Sequence, residues 1–317
     1  MSHRVAYIAR INRVLDHIDT HLADVLDLDT LAAVANFSPW HFHRVFQSVT
    51  GETLADRVRR RRLEVAAGRL LCLPSQAALT IALDVGFASA EVFTRAFKAR
   101  FGVTPSAWRR GAWREWAQVH RDRLRKIHQA HGKQHQAVIE ALQHDASPWQ
   151  GRHADGEEAM DIELRTLPDL RVAYMRHVGP YGSPAIGQMW FRFDAWRRQR
   201  GLQRADILLL GVSQDSPDIT APERCRYDAC VQVDDHFRPE GEIGVQTIAG
   251  GRYACLRFDG TGREIHAAWQ RVFAQWLPGS GYQPDDRPCA ELYDRGSDIE
   301  PKTGRFSCLL CVPLRPA

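Results

Sequence analysis

Two short amphipathic stretches near the start of the chain repeat one pattern of apolar and polar positions, 51 residues apart. They read SPWHFHRVFQSVTG at 38–51 and SAEVFTRAFKARFG at 89–102. Phe42 and Phe46 are four residues apart, as are Phe93 and Phe97, so each pair lies on one face of a predicted helix. The opposite face of each helix carries polar side chains that offer hydrogen-bond donors.

A second amphipathic segment precedes each stretch, LDTLAAVANF in the first case and LTIALDVGF in the second. Ser38 and Ser89 stand at the expected N-caps, where a hydroxyl accepts from a free backbone N–H. Helix, short turn and helix form a helix-turn-helix unit, and TLADRVRRRRLEVAAGRLL predicts a long helix that connects the two units. Two recognition helices held in this way can enter successive major grooves about 34 Å apart. The first part of the chain is therefore predicted to be all-α.

The period changes after residue 160, where short runs typical of strands begin. These are MDIELRTL, RVAYMRHV, RYDACVQV, ACLRF and FSCLLCVPL. Two segments between them, SPAIGQMWFRFDAWRRQRG and GREIHAAWQRVFAQWLPGSG, are predicted to be helices. Tyr174 and Trp190 recur 79 residues later as Tyr253 and Trp269. We interpret this as a duplicated α+β domain whose halves pack about a pseudo-two-fold axis and leave a cleft for a ligand.

The intermediate residues 112–158 show an intermittent helical pattern and then a polar loop, so we divide the chain into 1–111, 112–158 and 159–317. His128, His131 and His135 share a helix face there. No cysteine or carboxylate joins them, so we expect no metal site.

Composition and charge narrow the class of protein. The 317 residues are 44% hydrophobic and 25% charged, and no apolar run approaches the ~20 residues that span a bilayer. The N-terminus lacks a signal-peptide core, and seven cysteines in such a chain favour a reducing cytoplasm. We therefore expect a cytoplasmic protein without membrane contact. Residues 1–114 carry a net +6 and the two segments 115–158 and 159–317 are −1 each, which indicates an anionic partner for the first part.

The runs LAAVANFSPWHFHRVFQSVTG and LTIALDVGFASAEVFTRAFKARFGVTPSAWRR resemble the DNA-binding domain of AraC/XylS-type regulators over about residues 4–111. The resemblance implies double-stranded DNA as the partner, bound by a monomer at an asymmetric promoter site. It also implies that six exposed side chains of the two recognition helices read bases: Trp40, His43, Arg44, Glu91, Thr94 and Arg95. Of the run Arg59 to Arg62, we expect some members along phosphates and others on a solvated face.

The stretch DRPCAELYDR suggests a ligand site in the second domain. Glu291 and Tyr293 are two residues apart and share one face of an extended strand. A carboxylate beside aromatic rings suits a hydrophobic cation, because the rings offer a negative face and the carboxylate a counter-charge. The other candidates for contact with the ligand are Tyr181, Trp190, Tyr227 and Trp269, although both tryptophans could equally be core anchors.

Residues 160–315 also resemble a family, the GyrI-like (gyrase-inhibitor-like) effector-binding domains. The runs that carry the resemblance are LPDLRVAYMRHVGPYG, RYDACVQV, WLPGSGYQPDDRPCAELY and CLLCVPL. It implies a duplicated α+β fold with a central antiparallel sheet, and a glutamate at the position of Glu291 that faces lipophilic cations. The order of the two domains resembles that of Rob-type regulators.

Our leading interpretation is a DNA-binding transcriptional regulator, an activator, whose second domain senses a small hydrophobic and cationic effector and biases contacts with DNA or RNA polymerase. No cofactor, metal or catalytic residue is expected. One alternative is a GyrI-like hydrolase of electrophilic small molecules fused to a DNA-binding domain, with Glu291 and Tyr293 as base and acid. Another is an architectural DNA-binding protein whose second domain makes only protein contacts.

Overall fold

A computed structural model describes residues 3–142, 160–204, 207–262, 264–293 and 304–316, with the backbone alone for 3–5 and 130–142. The predicted boundary near residue 158 and the side chains of His131 and His135 lie outside the described residues.

The first domain is the predicted tandem helix-turn-helix. Its helices are α1 (His3–Thr20), α2 (Leu28–Val34), α3 (Pro39–Thr50), α4 (Leu54–Cys72), α5 (Ala78–Asp84) and α6 (Ala90–Phe101). Helices α2 and α3 form the first unit, α5 and α6 form the second, and α4 is the predicted long connector. The prediction of the all-α fold is confirmed.

Local chemistry sets the ends of the two recognition helices, α3 and α6. The Ser89 hydroxyl accepts from the Val92 N–H, as predicted for a cap. Ser38 also stands at the predicted N-cap of α3, but its hydroxyl makes no capping hydrogen bond and instead pairs with His41 Nδ1 at 3.0 Å. Gly51 and Gly102 end the helices at φ +70° and +77°, a left-handed conformation that favours glycine.

The repeated phenylalanines build two separate cores. Phe42 and Phe46 are buried with residues of α1, α2 and the start of α4. Phe93 and Phe97 are buried against the second half of α4, together with Trp108, whose indole N–H donates to the Ala67 carbonyl at 3.1 Å. Helix α4 therefore belongs to both cores and fixes the two units relative to each other.

A short α7 (Pro105–Ala107) continues through a π-helical turn, Trp108–Ala112, into α8 (Trp113–Leu142). The chain kinks at Gly111, where φ is +118°. In the second domain, α9 is Pro184–Gln199 and α10 is Ile265–Arg271. The strands are β1 (Ile162–Leu167), β2 (Leu170–Val178), β3 (Leu209–Ser213), β4 (Arg226–Gln232), β5 (Gly244–Ile248), β6 (Gly251–Thr261), β7 (Tyr282–Pro284), β8 (Cys289–Tyr293) and β9 (Arg305–Pro316).

The strands form one antiparallel sheet, which confirms the predicted α+β fold. Its order is β1-β6-β9-β8-β3-β4-β2-β5, with β7 beside β9. The strands β1-β6-β9-β8 of one half correspond, in order, to β5-β2-β4-β3 of the other half. The duplication therefore has a pseudo-two-fold axis between β3 and β8. Tyr174 on β2 and Tyr253 on β6 occupy equivalent buried positions. Each half borrows its outer strand from the other, because β1 pairs with β6 and β5 pairs with β2.

The two faces of the sheet have different neighbours. Helices α9 and α10 cover one face through Met189 and Phe193 in one half and Trp269 in the other. The opposite face carries a core of alternating strand residues, including Cys255 and Cys311, which lie directly opposite each other on β6 and β9. Helix α1 of the first domain lies near this face at β5.

Buried ion pairs join the two domains. Asp16 and Asp19, one turn apart on α1, contact Arg176 on β2 and Arg226 on β4. Arg61 of α4 donates to Asp215 at 2.7 Å and to Asp19 at 2.9 Å. We call Asp19, Arg61, Asp215 and Arg226 the interdomain ion cluster.

An apolar contact supports the ion cluster. Ile219 of the second domain is buried in the core formed by α4, α6 and Trp108. The indole N–H of Trp116 on α8 donates to the Ile219 carbonyl at 3.1 Å. The two domains thus share one stretch of core beside their charged contact.

We predict that Asp215→Asn destabilises the protein by about 3 kcal/mol, because it leaves Arg226 and Arg61 buried beside an uncharged partner. The measurement is urea unfolding followed by tryptophan fluorescence. Glu223→Gln is the matched control, since the Arg123–Glu223 pair also joins the domains but is 60% and 44% exposed. It should cost less than about 1 kcal/mol, and equal losses in the two variants would contradict the assignment.

Candidate DNA-binding surface and ligand site

The structure leaves the polar faces of both recognition helices open to solvent. Trp40, His43 and Arg44 are exposed on α3, and Trp40 is 75% exposed although an aromatic beside an N-cap often packs. Glu91, Thr94 and Arg95 are exposed on α6 and line a shallow surface depression with Lys98. All six side chains predicted to read bases are therefore accessible, and the phenylalanines behind them fix their orientation.

The four consecutive arginines of α4 have different roles from those predicted. Arg60 and Arg61 are buried and form ion pairs with Glu64, so the expectation that the run lies on phosphates or on a solvated face is wrong for them. Arg62 donates to the backbone carbonyls of Leu22, Asp24 and Gly86. It therefore ties the two helix-turn-helix units together.

Arg59 alone in this run is exposed. It lines a groove between the two units, together with His43 of α3, Thr53 at the N-cap of α4 and Val92 of α6. The groove thus borders both recognition helices.

The second candidate site surrounds Glu291, at the centre of the sheet. Glu291 is on β8 next to the pseudo-two-fold axis, directly opposite Gly211 of β3, and is 6% exposed. Its Oε2 accepts from the hydroxyl of Tyr227 at 2.5 Å and from the hydroxyl of Tyr293 at 2.8 Å. The carboxylate thus lies between α9 and α10, on the face of the sheet that the helices cover.

Aromatic rings from both halves enclose this carboxylate. The ring of Trp190 on α9 lies 5.1 Å from that of Tyr293 and 6.5 Å from that of Tyr227. Trp269 on α10 lies close enough to Glu291 for its indole N–H to lower the pKa of the carboxylate. A side chain at Gly211 would overlap the Tyr227 hydroxyl and lie 2.6 Å from Glu291 Oε2, so the site requires glycine there.

Burial controls the protonation of this site. Removal from water raises the pKa of Glu291, and the hydrogen bonds from Tyr227 and Tyr293, together with the nearby Trp269 indole, offset that rise only in part. Burial likewise raises the pKa of Tyr227 and of Tyr293 well above the usual value, and the nearby carboxylate raises both further. The tyrosines therefore stay protonated and act as donors. Among the described residues, no Lys or Arg forms an ion pair with Glu291.

Tyr181 does not reach the carboxylate with its hydroxyl. That hydroxyl donates to the backbone carbonyls of Asp215 and Arg226, at 2.9 Å each, and accepts from the Asp215 N–H. Its ring packs edge-on against Tyr227 at 6.4 Å. The structure thus brings together five of the six predicted ligand residues, and places Tyr181 one layer behind them.

His128, from the three-histidine pattern of α8, also contacts this region through its ring nitrogen Nε2, which lies 2.6 Å from the Tyr181 carbonyl. Among the described residues no group of histidines, cysteines and carboxylates is arranged to hold a metal ion. In that same part of the chain no helix is long and apolar enough to cross a bilayer.

Sequence reasoning missed the acidic residues of α1 and their arginine partners. Asp16 and Asp19 are spaced like any exposed acidic pair on a helix, and the sequence contains no signal for their pairing with the second domain. Gly211 was missed too, although a lone glycine inside a strand pattern is a known sign of close approach.

Comparison with known proteins agrees with both parts of this structure. A family model described as a helix-turn-helix domain matches residues 31–111. The regulatory protein SoxS of Escherichia coli is 36% identical over 99 residues, which are 31% of this chain and 92% of SoxS. The transcriptional regulator Rob of Salmonella typhimurium is 41% identical over 107 residues, which are 34% of this chain and 36% of Rob.

The chain is an AraC-family transcriptional regulator. A second family model, the GyrI-like small molecule binding domain, matches residues 160–315, so this AraC-family member carries such a domain. Two solved structures also match. The DNA-binding domain of AdpA, in complex with a target DNA, is 30% identical over 31% of this chain and 88% of that one, with a TM-score of 0.29. EcmrR in a DNA complex is 12% identical, and the match covers 92% of this chain and 99% of EcmrR, with a TM-score of 0.42. The division at residues 111 and 158 stays a prediction.

We predict that Glu291→Gln does not destabilise the ligand-free protein at pH 8 and raises its melting temperature. A carboxyl whose folded pKa is raised destabilises the fold once it ionises, so the cost sets in as the pH rises above the ordinary value near 4.5. The advantage of the variant should therefore shrink as the pH falls toward 4. Scanning calorimetry from pH 4 to 8 measures it.

Glu163→Gln is the control for this experiment, because Glu163 on β1 is exposed and its pKa is not raised. A lower melting temperature for Glu291→Gln at pH 8 would show that Glu291 is a stabilising residue of the core rather than a strained one.

Proposed function

We propose that this regulator senses a small hydrophobic cation at Glu291 and responds by changing its contacts with promoter DNA or RNA polymerase, as an activator. The observation that carries the proposal is a buried carboxylate at the axis of a duplicated domain, enclosed by Trp190, Trp269, Tyr227 and Tyr293. Natural proteins seldom bury a carboxylate without a cationic partner, since the cost is high. A bound cation would supply the missing charge.

The chemistry of the enclosure favours a cation with apolar surroundings. Tryptophan and tyrosine rings attract positive charge through their faces and offer large apolar areas. Glu291 adds a full negative charge in a site from which water is largely excluded, where a Coulomb interaction is stronger than in water. A neutral analogue of the same shape would gain only the apolar contacts.

For the first domain, we propose that Trp40, His43, Arg44, Glu91, Thr94 and Arg95 read bases in two successive major grooves. Their exposure on two helices that one connector holds supports this role. We propose further that Arg59, in the groove between the two units, contacts the phosphate backbone, since it is exposed and charged but lies on the connecting helix α4 and not on a recognition helix.

Tetraphenylphosphonium should quench or shift the tryptophan fluorescence of the protein with a saturable curve, because Trp190 and Trp269 line the site. Glu291→Gln should weaken this binding about ten-fold or more, and triphenylphosphine oxide, a neutral analogue, should bind both proteins equally weakly. Affinity for the cation should rise with pH through the raised pKa of Glu291, because the bound cation requires the ionised carboxylate.

Chromatography of the mixtures after titration distinguishes sensing from turnover. Intact tetraphenylphosphonium supports a sensor. An electrophilic ester that the wild type consumes and Glu291→Gln leaves intact would instead support the hydrolase. Identical binding curves for the two proteins would rule out Glu291 as the counter-ion.

Arg95→Ala should lose about 1–3 kcal/mol of affinity for a duplex that the protein itself selects from random sequences, and little for an unrelated duplex. Arg59→Ala should lose affinity for both duplexes alike and reduce the slope of log affinity against log salt by about 0.9. Fluorescence anisotropy at three salt concentrations measures both. The same loss pattern in the two variants would contradict the division between base reading and phosphate contact.

A further inference from the structure

Two consecutive residues of β4 face the two functional regions of the molecule. Tyr227 points toward the helix-covered face of the sheet and donates to Glu291. The side chain of Arg226, the preceding residue, points to the opposite face of the sheet. It is 2% exposed and contacts Asp19 and Asp215 in the interdomain ion cluster. Alternation along a strand thus places a ligand contact and a domain contact one residue apart.

Tyr181 provides a second connection between the same regions. Its ring packs against Tyr227, and its hydroxyl bonds to the backbone of Asp215 and of Arg226. A shift of the Tyr227 ring would therefore displace Tyr181, whose hydroxyl holds the backbone of Asp215 and Arg226, the two cluster residues of the second domain. Tyr293, the other donor to Glu291, lies on β8, and its described ring neighbours are Trp190 and Phe306.

The cluster in turn contacts the two helices that organise the DNA-binding domain. Asp19 is on α1, and Arg61 is on α4, which belongs to both helix-turn-helix cores. Burial alone would raise the pKa of Asp19, but Arg226 and Arg61 outweigh it and hold that pKa far below the usual value. Three buried charges and the partly exposed Asp19, each with two partners within the cluster, give this contact a defined geometry.

We infer that β4 carries ligand occupancy to the DNA-binding domain: Tyr227 responds to the group bound at Glu291, and Arg226 and Tyr181 pass the change to Asp19 and Arg61. A cation at Glu291 competes with the Tyr227 hydroxyl for Oε2, which moves the ring and loosens the cluster. The trigger rests on the proposed function, whereas the connection itself is a property of the ligand-free protein. Arg226 and Tyr181 are positioning residues in this scheme.

The first test needs no ligand. Tyr227→Phe and Tyr293→Phe each remove one hydroxyl donor from the same oxygen of Glu291, but only Tyr227 adjoins Arg226 and Tyr181. Amide hydrogen exchange of the full chain, read by mass spectrometry, should be about three-fold faster or more in α1 and α4 of Tyr227→Phe. Tyr293→Phe should match the wild type in these helices. Equal exchange in both variants overturns the inference.

The second test uses the reciprocity of coupling. If a cation at Glu291 loosens the cluster, then Asp19→Asn, which loosens it directly, should tighten tetraphenylphosphonium binding about five-fold. Asp286→Asn is the matched control, since the Arg69–Asp286 pair also joins α4 to the second domain but is 27% and 38% exposed and lies outside the cluster. It should leave the affinity unchanged.

The two tests separate the possible failures. Unchanged or weaker affinity in Asp19→Asn overturns the coupling even if the cation binds at Glu291. No binding of tetraphenylphosphonium to the wild type refutes the cation-sensing proposal, and the exchange experiment then decides the β4 connection by itself. Faster exchange in Tyr227→Phe alone supports the connection in either case.

Discussion

The buried charges between the two domains constrain the whole molecule. Arg61, Asp215 and Arg226 are buried and Asp19 is 22% exposed, and each has one partner in its own domain and one in the other. Separating the domains would therefore remove half of the ion pairs of the interdomain ion cluster. Ile219 is inserted into the core of the first domain, so separating the domains would also expose its apolar side chain to water, which costs free energy. The DNA-binding domain and the GyrI-like domain therefore pack against each other through both charged and apolar contacts.

Glu291 differs from the ion cluster, because its buried charge has no partner of opposite sign among the described residues. Its carboxylate is buried among donors that satisfy its hydrogen bonds, yet no described cation neutralises its charge, and its pKa rises in consequence. A site that were only structural would be more stable with a neutral side chain. Sites that bind charged ligands commonly give up stability in this way, and the strain at Glu291 is the free energy that a cation would recover on binding.

The repeated patterns made most of the fold predictable. The phenylalanine spacing located both recognition helices, and the offset between Tyr174 and Tyr253 located the two-fold sheet, because burial periodicity is a local signal. The same signal placed Glu291 and Tyr293 on one strand face. Long-range partners had no such signal. Arg60 and Arg61 look like a basic surface in sequence, and only the tertiary structure shows their carboxylate partners. Tyr181 looked like a ligand contact because sequence does not show where a hydroxyl points.

The exchange of outer strands between the two halves of the sheet has a consequence for their origin. Since β1 completes the second half and β5 completes the first, neither half covers its own edge. A chain of half the length with this pattern would satisfy its hydrogen bonds only as a symmetric dimer whose subunits traded their terminal strands. Fusion of two such subunits would leave one shared pocket on the former dimer axis, and Glu291 lies next to the corresponding axis of this domain.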